Sequence, residues 1–219
     1  MKYRYLILLL LSFIIVNAYS NEKVLIDFSA LTDSSLALSN WRSVLVSADH
    51  SQENPPDSYI KEIKVEGELS VAELRVTFPQ VNNTALAVIL APPDIIEEAD
   101  KGLGKLNNVG VIKSISINIK GNNYSNNIGI ILMDVNGHKQ IISMGDINFE
   151  GWKTITWSNP DYIKQIITRE KNWGTELENQ KLPFIAFVGF IIYKDTNQQS
   201  GEFTTYIKDI SINFNVARL

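Results

Sequence analysis

Residues 111–119 decide the fold class of this chain; they read Val-Ile-Lys-Ser-Ile-Ser-Ile-Asn-Ile. Apolar residues occupy the odd positions and polar residues most of the even ones, which is the alternation of a strand with one face in a core. Residues 207–214, Ile-Lys-Asp-Ile-Ser-Ile-Asn-Phe, follow almost the same pattern. Both segments therefore predict half-buried β-strands. In the second strand we expect the buried face to carry Tyr206, Ile210, Ile212 and Phe214.

Further strands are predicted on both sides of these two. Residues 128–134 and 139–144 flank Asn136-Gly137, a dipeptide that tolerates positive φ at both turn positions, and so predict a hairpin. Residues 182–193 are apolar on both faces and predict a central strand covered on both sides. The asparagine-rich stretch 121–127 predicts a turn between strands. Other segments with strand character are, in chain order, 24–28, 41–47, 59–65, 73–78, 85–90 and 152–157.

Helix signals are scarce. Residues 159–161, Asn-Pro-Asp, offer an N-cap, a proline at the first helical position and an early acid. Ile163, Ile166 and Ile167 then fall on one face, so we expect a short helix here and a further turn or two at 95–101. About ten strands at short spacing predict an all-β chain, an antiparallel β-sandwich of jelly-roll type with one or two short helices.

The first twenty residues have the pattern of a secretory signal peptide. Lys2 and Arg4 precede an apolar run at 6–16, which is shorter than the roughly 20 residues a membrane span needs. Small residues place the cleavage site after Ala18 or after Ser20. We therefore assign 1–20 to a signal peptide and 21–219 to a single β-sandwich domain, with no membrane contact after cleavage.

Composition excludes several classes of site. The chain has 20 Lys and Arg against 24 Asp and Glu, with no basic stripe, so nucleic acid is not an expected partner. The absence of cysteine excludes thiolate nucleophiles, thiolate metal sites and a lipoprotein anchor.

Catalytic and metal-binding motifs are equally scarce. His50 and His138 are the only histidines, and no Gly-x-Ser-x-Gly elbow or phosphate-binding glycine loop accompanies them. An acidic calcium site from Asp195, Glu202 and Asp209 is conceivable, but no regular oxygen-ligand loop is visible. We expect no catalytic residues, no cofactor and no metal.

The tryptophans are the best candidates for a contact surface. Trp152 and Trp157 are five residues apart on one predicted strand, so they point to opposite faces and one of them can be core. Trp173 lies in the polar stretch 169–181 and is the strongest candidate for an exposed anchor. We take Trp152, Trp157 and Trp173 as candidate interface residues, since exposed tryptophans commonly anchor protein interfaces.

Several longer strings resemble a known family. Residues 110–119, the Asn136-Gly137 hairpin and 149–163, Phe-Glu-Gly-Trp-Lys-Thr-Ile-Thr-Trp-Ser-Asn-Pro-Asp-Tyr-Ile, resemble the flagellar filament outer layer (sheath) protein family of spirochaetes, FlaA. Residues 189–194 and 203–210 fit the same pattern. The Gly-Trp-Lys…Trp-x-Asn-Pro-x-Tyr-Ile string is the most specific part of the resemblance.

The resemblance implies a structural role in the periplasm. A sheath subunit would bind core flagellin-like subunits and neighbouring copies of itself, and would set the stiffness or shape of a periplasmic flagellar filament. The family brings no catalytic residues. The alternative is a carbohydrate-binding jelly-roll module, which a sheet face carrying two or three exposed aromatic side chains would favour.

Overall fold

A computed structural model describes residues 20–31, 37–46, 51–53, 58–64, 70–78, 86–92, 100–171, 183–195 and 201–217. Within these ranges the strands are β1 (Ser20–Asp27), β2 (Arg42–Val46), β3 (Ser51–Glu53), β4 (Tyr59–Lys64), β5 (Ser70–Phe78), β6 (Leu86–Leu90), β7 (Lys105–Asn107), β8 (Val109–Asp134), β9 (Lys139–Ser158), β10 (Phe184–Tyr193) and β11 (Gly201–Val216). The α-helix α1 spans Tyr162–Lys171, and two short 3-10 helices span Phe28–Leu31 and Leu38–Asn40.

All of the strand pairings are antiparallel, and they link the eleven described strands into one continuous sheet that bends into two layers, here called the first and second sheets. The first sheet contains β4, β5, β1, β11, the first half of β8 and the second half of β9. The second sheet contains β3, β2, β6, β7, β10 and the remaining halves of β8 and β9. The inner faces of both sheets bury one shared apolar core. The predicted all-β antiparallel sandwich is confirmed.

β8 and β9 cross from one sheet to the other as continuous strands. The prediction of a turn at 121–127 is therefore wrong, because β9 pairs with β8 on both sides of this stretch and the irregular register between Asn122 and Asn127 bends the strand instead. Gly121 marks the bend, where a Cβ would lie 2.7 Å from the ring of Phe149. Glycine lets that ring pack directly on the backbone.

The core follows the predicted alternation. Ile115, Ile117 and Ile119 of β8 are fully buried, as the period-2 pattern at 111–119 predicts. Each such side chain contributes roughly 1.5–3 kcal/mol by leaving water. The aromatic centre of the core is a cluster with ring centroids 4.9–6.4 Å apart. It comprises Phe28, Trp41, Phe187 and Phe190.

The predicted hairpin, central strand and helix are also present. β8 and β9 are joined at Asn136-Gly137, where Gly137 has a φ of 79°. Helix α1 begins directly after residues 159–161, with the Asp161 N–H donating to Asn159 Oδ1 at 3.0 Å. Two of its three isoleucines are exposed, Ile163 at 58% and Ile167 at 47%, while Ile166 is half-buried. The helix predicted at 95–101 falls almost wholly outside the described residues.

Candidate functional site

The outer face of the second sheet is largely apolar, with the exposed polar residues Arg42 beside Leu90 and Ser143 beside Gly129. Paired residues of an antiparallel sheet point to the same side, so a row runs from Val44 through Val88 and Ile191 to Gly129. A second row lies beside it and runs from Val46 through Leu86 to Tyr193. We call this surface the apolar face; its side chains are Val44, Val46, Leu86, Val88, Leu90, Ile131, Ile141, Ile191 and Tyr193.

Side chains of the apolar face differ in exposure. Ile141 is 52% exposed, whereas Val88 is half-buried and Ile191 is 4% exposed. The Ile191 side chain lies over Gly129, where a Cβ would come within 2.7 Å of Ile191 Cγ2. The missing side chain at Gly129 therefore keeps the centre of the face flat. β10 is apolar on both sides, as predicted, because one side lines the core and the other lines this face.

The outer face of the first sheet is polar. We call it the polar face; along β8, β9 and β11 its side chains are Ser114, Ser116, Asn118, Thr154, Thr156, Ser158, Asp209, Ser211 and Asn213. The hydroxyls of Ser116 and Thr156 hydrogen-bond across the strands at 2.9 Å. Short polar side chains dominate this part of the face, with the exposed Val24 of β1 beside Ser211, whereas aliphatic side chains dominate the apolar face.

Tyr206 lies on the polar face, so its predicted place in the core is wrong. The pairing of β11 with β8 shifts between Ile207 and Asp209, which is a β-bulge at Lys208. A bulge adds one residue and reverses the side-chain alternation beyond it. Ile210, Ile212 and Phe214 point inward as predicted. On the other side of the bulge the inward positions are Phe203, Thr205 and Ile207.

The bulge brings Tyr206 into a row of side chains that crosses five strands of the first sheet. Successive cross-strand partners are Lys61 on β4, Glu73 on β5, Tyr206 on β11, Lys120 on β8 and Trp152 on β9. Tyr59 lies one step along β4 on the same face and pairs with Arg75. We call the seven side chains Tyr59, Lys61, Glu73, Arg75, Lys120, Trp152 and Tyr206 the aromatic row.

Hydrogen bonds order one end of the aromatic row. The Tyr59 hydroxyl donates to Glu73 Oε1 at 2.6 Å, and Arg75 Nη1 donates to the same hydroxyl at 3.3 Å. Lys61 Nζ lies 3.6 Å from Glu73 Oε1, and Arg75 forms an ion pair with Glu202. Glu73 is 6% exposed, and a carboxylate this buried is tolerated only when it has such partners.

Cations lie near the tyrosine rings of the row. Lys61 Nζ is 4.8 Å from the centroid of Tyr59, and Lys120 Nζ is 5.6 Å from that of Tyr206. The hydrogen bond to Tyr59 and the charge of Glu73 raise the pKa of Lys61. Burial, together with the charge of Glu73, raises the pKa of Tyr206. The row therefore combines ring surfaces with groups that donate and accept hydrogen bonds.

The structure separates the predicted tryptophans. Trp157 pairs with the fully buried Ile115 and packs, half-buried, against the core. Trp152 lies on the opposite side, on the polar face, as the five-residue spacing predicts. Trp173 lies outside the described residues. The role of all three as contact residues stays a prediction.

Other candidate chemistry does not assemble in the part of the chain that the structure describes. No three His, Asp or Glu side chains there come close enough to hold a metal, and the predicted set of Asp195, Glu202 and Asp209 is not brought together. His138 lies on the hairpin turn, with Nδ1 3.4 Å from Asp134 Oδ2. Among the described helices, none has the length and apolar character that a bilayer crossing requires.

Solved structures with some similarity are carbohydrate-binding modules. TmCBM61 in complex with β-1,4-galactotriose matches with a TM-score of 0.39 and 8% identity, over 83% of this chain and 92% of that one. The family 11 module of the cellulase Lic26A-Cel5E of Clostridium thermocellum matches with a TM-score of 0.39 and 16% identity, over 88% and 94%. Likenesses this weak carry no argument about function.

Sequence relatives are much closer. The flagellar filament outer layer protein of Spirochaeta aurantia is 34% identical over 92% of this chain and 64% of its own length. The protein of the same name from Treponema pallidum is 28% identical over 91% and 69%, and that from Borreliella burgdorferi is 27% identical over 81% and 55%. This chain therefore spans a little under two thirds of the Spirochaeta aurantia protein.

The family comparison agrees with these relatives. The family model described as flagellar filament outer layer protein FlaA matches residues 16–219. That range contains every described strand and helix, including both outer faces. The resemblance carried by residues 110–119 and 149–163 is thereby confirmed. The chain belongs to the FlaA family of flagellar filament outer layer proteins.

Proposed function

We propose that this protein is a structural subunit of the periplasmic flagellar filament sheath. It binds core flagellin-like subunits and neighbouring copies of itself, and it thereby sets the stiffness or shape of the filament. Family membership supports the sheath role. In this proposal the chain is exported by its signal peptide, works in the periplasm and catalyses no reaction.

The observation that carries the proposal is the apolar face. A sandwich needs apolar side chains only on the inner faces of its sheets, and the polar face shows that this fold forms with a hydrophilic exterior. Val44, Val88 and Ile141 nevertheless lie on an outer surface. Contiguous apolar surface of this kind is typical of a site that another protein covers.

We assign the filament core as the occupant of the apolar face. A protein of an outer layer has one surface directed at the layer beneath, and that contact is permanent once the filament is assembled. Permanent interfaces are more hydrophobic than transient ones. The flat centre at Gly129 suits a broad contact with a protein surface rather than a pocket for a small molecule. Neighbouring copies then meet through the edges of the sandwich.

Repetition makes such a contact strong. Many copies bound along one filament hold it cooperatively even if each interface is weak, because identical heterologous contacts build an open array. A layer of packed β-sandwiches would resist bending of the core beneath it. The mechanical effect would therefore come from the number of contacts.

Co-sedimentation tests the proposal. Filament cores from a spirochaete such as Spirochaeta aurantia, stripped of their outer layer, are mixed with the purified protein and pelleted. We expect saturable binding that persists at physiological salt, because apolar contacts are little screened. A protein that stays in the supernatant at all ratios would contradict the assignment. A protein that pellets only at low salt would contradict the apolar face as the contact.

A further inference from the structure

We propose that the aromatic row on the polar face binds a neutral glycan. The inference concerns the opposite side of the sandwich from the apolar face and does not depend on the filament contact. Its basis is the placement of Tyr59, Tyr206 and Trp152 on one outer surface, with hydrogen-bonding groups between them.

The spacing of the rings suits an extended sugar chain. Tyr206 and Trp152 are two strands apart, about 10 Å. Tyr59 lies two strands away on the other side and one step along β4, so it is about 12 Å from Tyr206 and to one side of the line through the other two rings. The three rings are half-buried and held in place by the sheet. Because the C–H faces of sugar rings pack against aromatic rings, the three rings would contact a glycan at intervals along its length.

The polar groups of the row match sugar hydroxyls. Arg75 and the lysines can donate hydrogen bonds to sugar hydroxyls, while the buried Glu73 carboxylate holds the Tyr59 hydroxyl and Lys61 in place. The Glu73–Tyr59–Arg75 network is already ordered without a ligand, so binding loses little conformational entropy in ordering these side chains. The ammonium groups of the exposed Lys61 and the half-buried Lys120 are held only weakly by the tyrosine rings and can turn to a sugar hydroxyl.

The near balance of charge in the row favours a neutral ligand. Lys61 pairs with Glu73 and Arg75 pairs with Glu202, so Lys120 leaves the row and its ion-pair partner with a single excess positive charge. A site for an acidic polymer would present several such basic groups. The row also lacks the aliphatic side chains that cover the apolar face, which argues against a second protein interface of the same kind.

Titration calorimetry with defined hexasaccharides tests the site. The probes are cellohexaose, chitohexaose and mannohexaose, with hexagalacturonate as the acidic comparison. We expect at least one neutral hexasaccharide to bind with a Kd below about 1 mM. Trp152→Ala and Tyr206→Ala should each weaken that binding about tenfold or more, as loss of an aromatic anchor usually does.

Controls separate this site from the rest of the molecule. Tyr193→Ala removes a matched half-buried tyrosine from the apolar face and should change the Kd less than about twofold. Trp152 is on the edge strand β9, so Trp152→Ala keeps the test valid if Tyr206→Ala unfolds. Filament co-sedimentation of a folded Tyr206→Ala variant should match that of the unsubstituted protein.

Three outcomes would overturn the inference. They are no binding to any neutral hexasaccharide, binding that Trp152→Ala leaves unchanged in a folded protein, and a preference for hexagalacturonate. Because filament binding is measured separately, failure here leaves the sheath proposal untouched, and failure of the sheath proposal leaves this one untouched.

Discussion

The two outer faces of the sandwich are built partly from the same two strands. In the first sheet β8 turns Ser114, Ser116 and Asn118 outward; in the second sheet it turns Gly129 and Ile131 outward. The inner residues of both halves are equally buried isoleucines. The core is thus equally apolar in either half, and the two halves differ on their outer surfaces. Folding alone explains the polar face; in our proposal the filament core covers the apolar face.

The largest expected effect is on filament binding. Val88→Asp places a charge in the middle of the apolar face, where an unpaired carboxylate would have to be buried on contact with the core. We expect the affinity for stripped filaments, measured by co-sedimentation, to fall about 100-fold, which corresponds to roughly 2.7 kcal/mol.

Thr154→Asp is the matched change on the polar face, at an exposed position. It should alter filament affinity less than about twofold, because the carboxylate stays in water. Equal losses in the two variants would remove the distinction between the faces.

A smaller effect is expected from closing the gap at Gly129. The Cβ of Gly129→Ala would lie 2.7 Å from Ile191 Cγ2 and 3.1 Å from the Ile142 carbonyl oxygen. Because the β-branched Ile191 has few alternative rotamers, we expect a loss of about 1–3 kcal/mol in the free energy of unfolding by urea. Thr154→Val should stay within about 0.5 kcal/mol. A neutral Gly129→Ala would show that the apolar face is loosely packed.

On the polar face, Glu73 is expected to contribute more to the free energy of unfolding than a residue in an exposed ion pair does. Glu73→Gln keeps the shape but weakens the hydrogen bond from Tyr59 and the ion pair with Lys61. We expect a loss of about 1–2 kcal/mol in thermal or urea unfolding. Glu202→Gln, at an exposed ion pair with Arg75, should cost less than about 1 kcal/mol. If both changes were neutral, the aromatic row would be only a solvated surface.

The smallest effect concerns Asp209, whose pKa is raised above the ordinary 3.8 by burial and then by the facing Asp27. The folded state therefore disfavours the charged carboxylate, and near pH 7 Asp209→Asn should increase stability by on the order of 0.5 kcal/mol. As the pH falls through the raised pKa, Asp209 takes up its proton and the advantage of asparagine shrinks. Urea unfolding from pH 7 to pH 4 measures this trend; an advantage that grew on acidification would contradict it.

The sequence predicted the strands and the helix whose residues follow a single hydrophobic periodicity. The strands at 111–119 and 128–134, the hairpin at Asn136-Gly137 and the helix after residue 161 all lie where pattern and turn chemistry place them. These features depend on residues that are neighbours in the sequence. The residue pattern could not predict that β8 continues through residues 121–127 as one bent strand paired with β9, because there cross-strand pairing overrides the local turn preference.

The candidate sites were harder to predict because they depend on register. Tyr206 lies on the outer face rather than in the expected core because of the bulge at Lys208. The residue types around Lys208 do not predict such a bulge. Tyr59, Glu73 and Arg75 were missed because their grouping depends on the register of β4 against β5, which the residue pattern alone does not determine. The apolar character of 182–193 did signal the second face, since β10 is apolar on both sides. The cover predicted for its outer side stays a prediction, because that side is an outer surface of the sandwich.

Cysteine labelling tests the central claim most directly, because the chain has no cysteine of its own. Ile141→Cys places a thiol on the apolar face and Thr154→Cys places one on the polar face, both at exposed positions. The measurement is the rate of maleimide labelling with and without stripped filaments. We predict that filaments slow labelling of the Ile141→Cys variant at least about tenfold and leave the Thr154→Cys variant unchanged. Protection of Thr154→Cys alone, or of neither variant on bound protein, would contradict the assignment of the apolar face to the filament core.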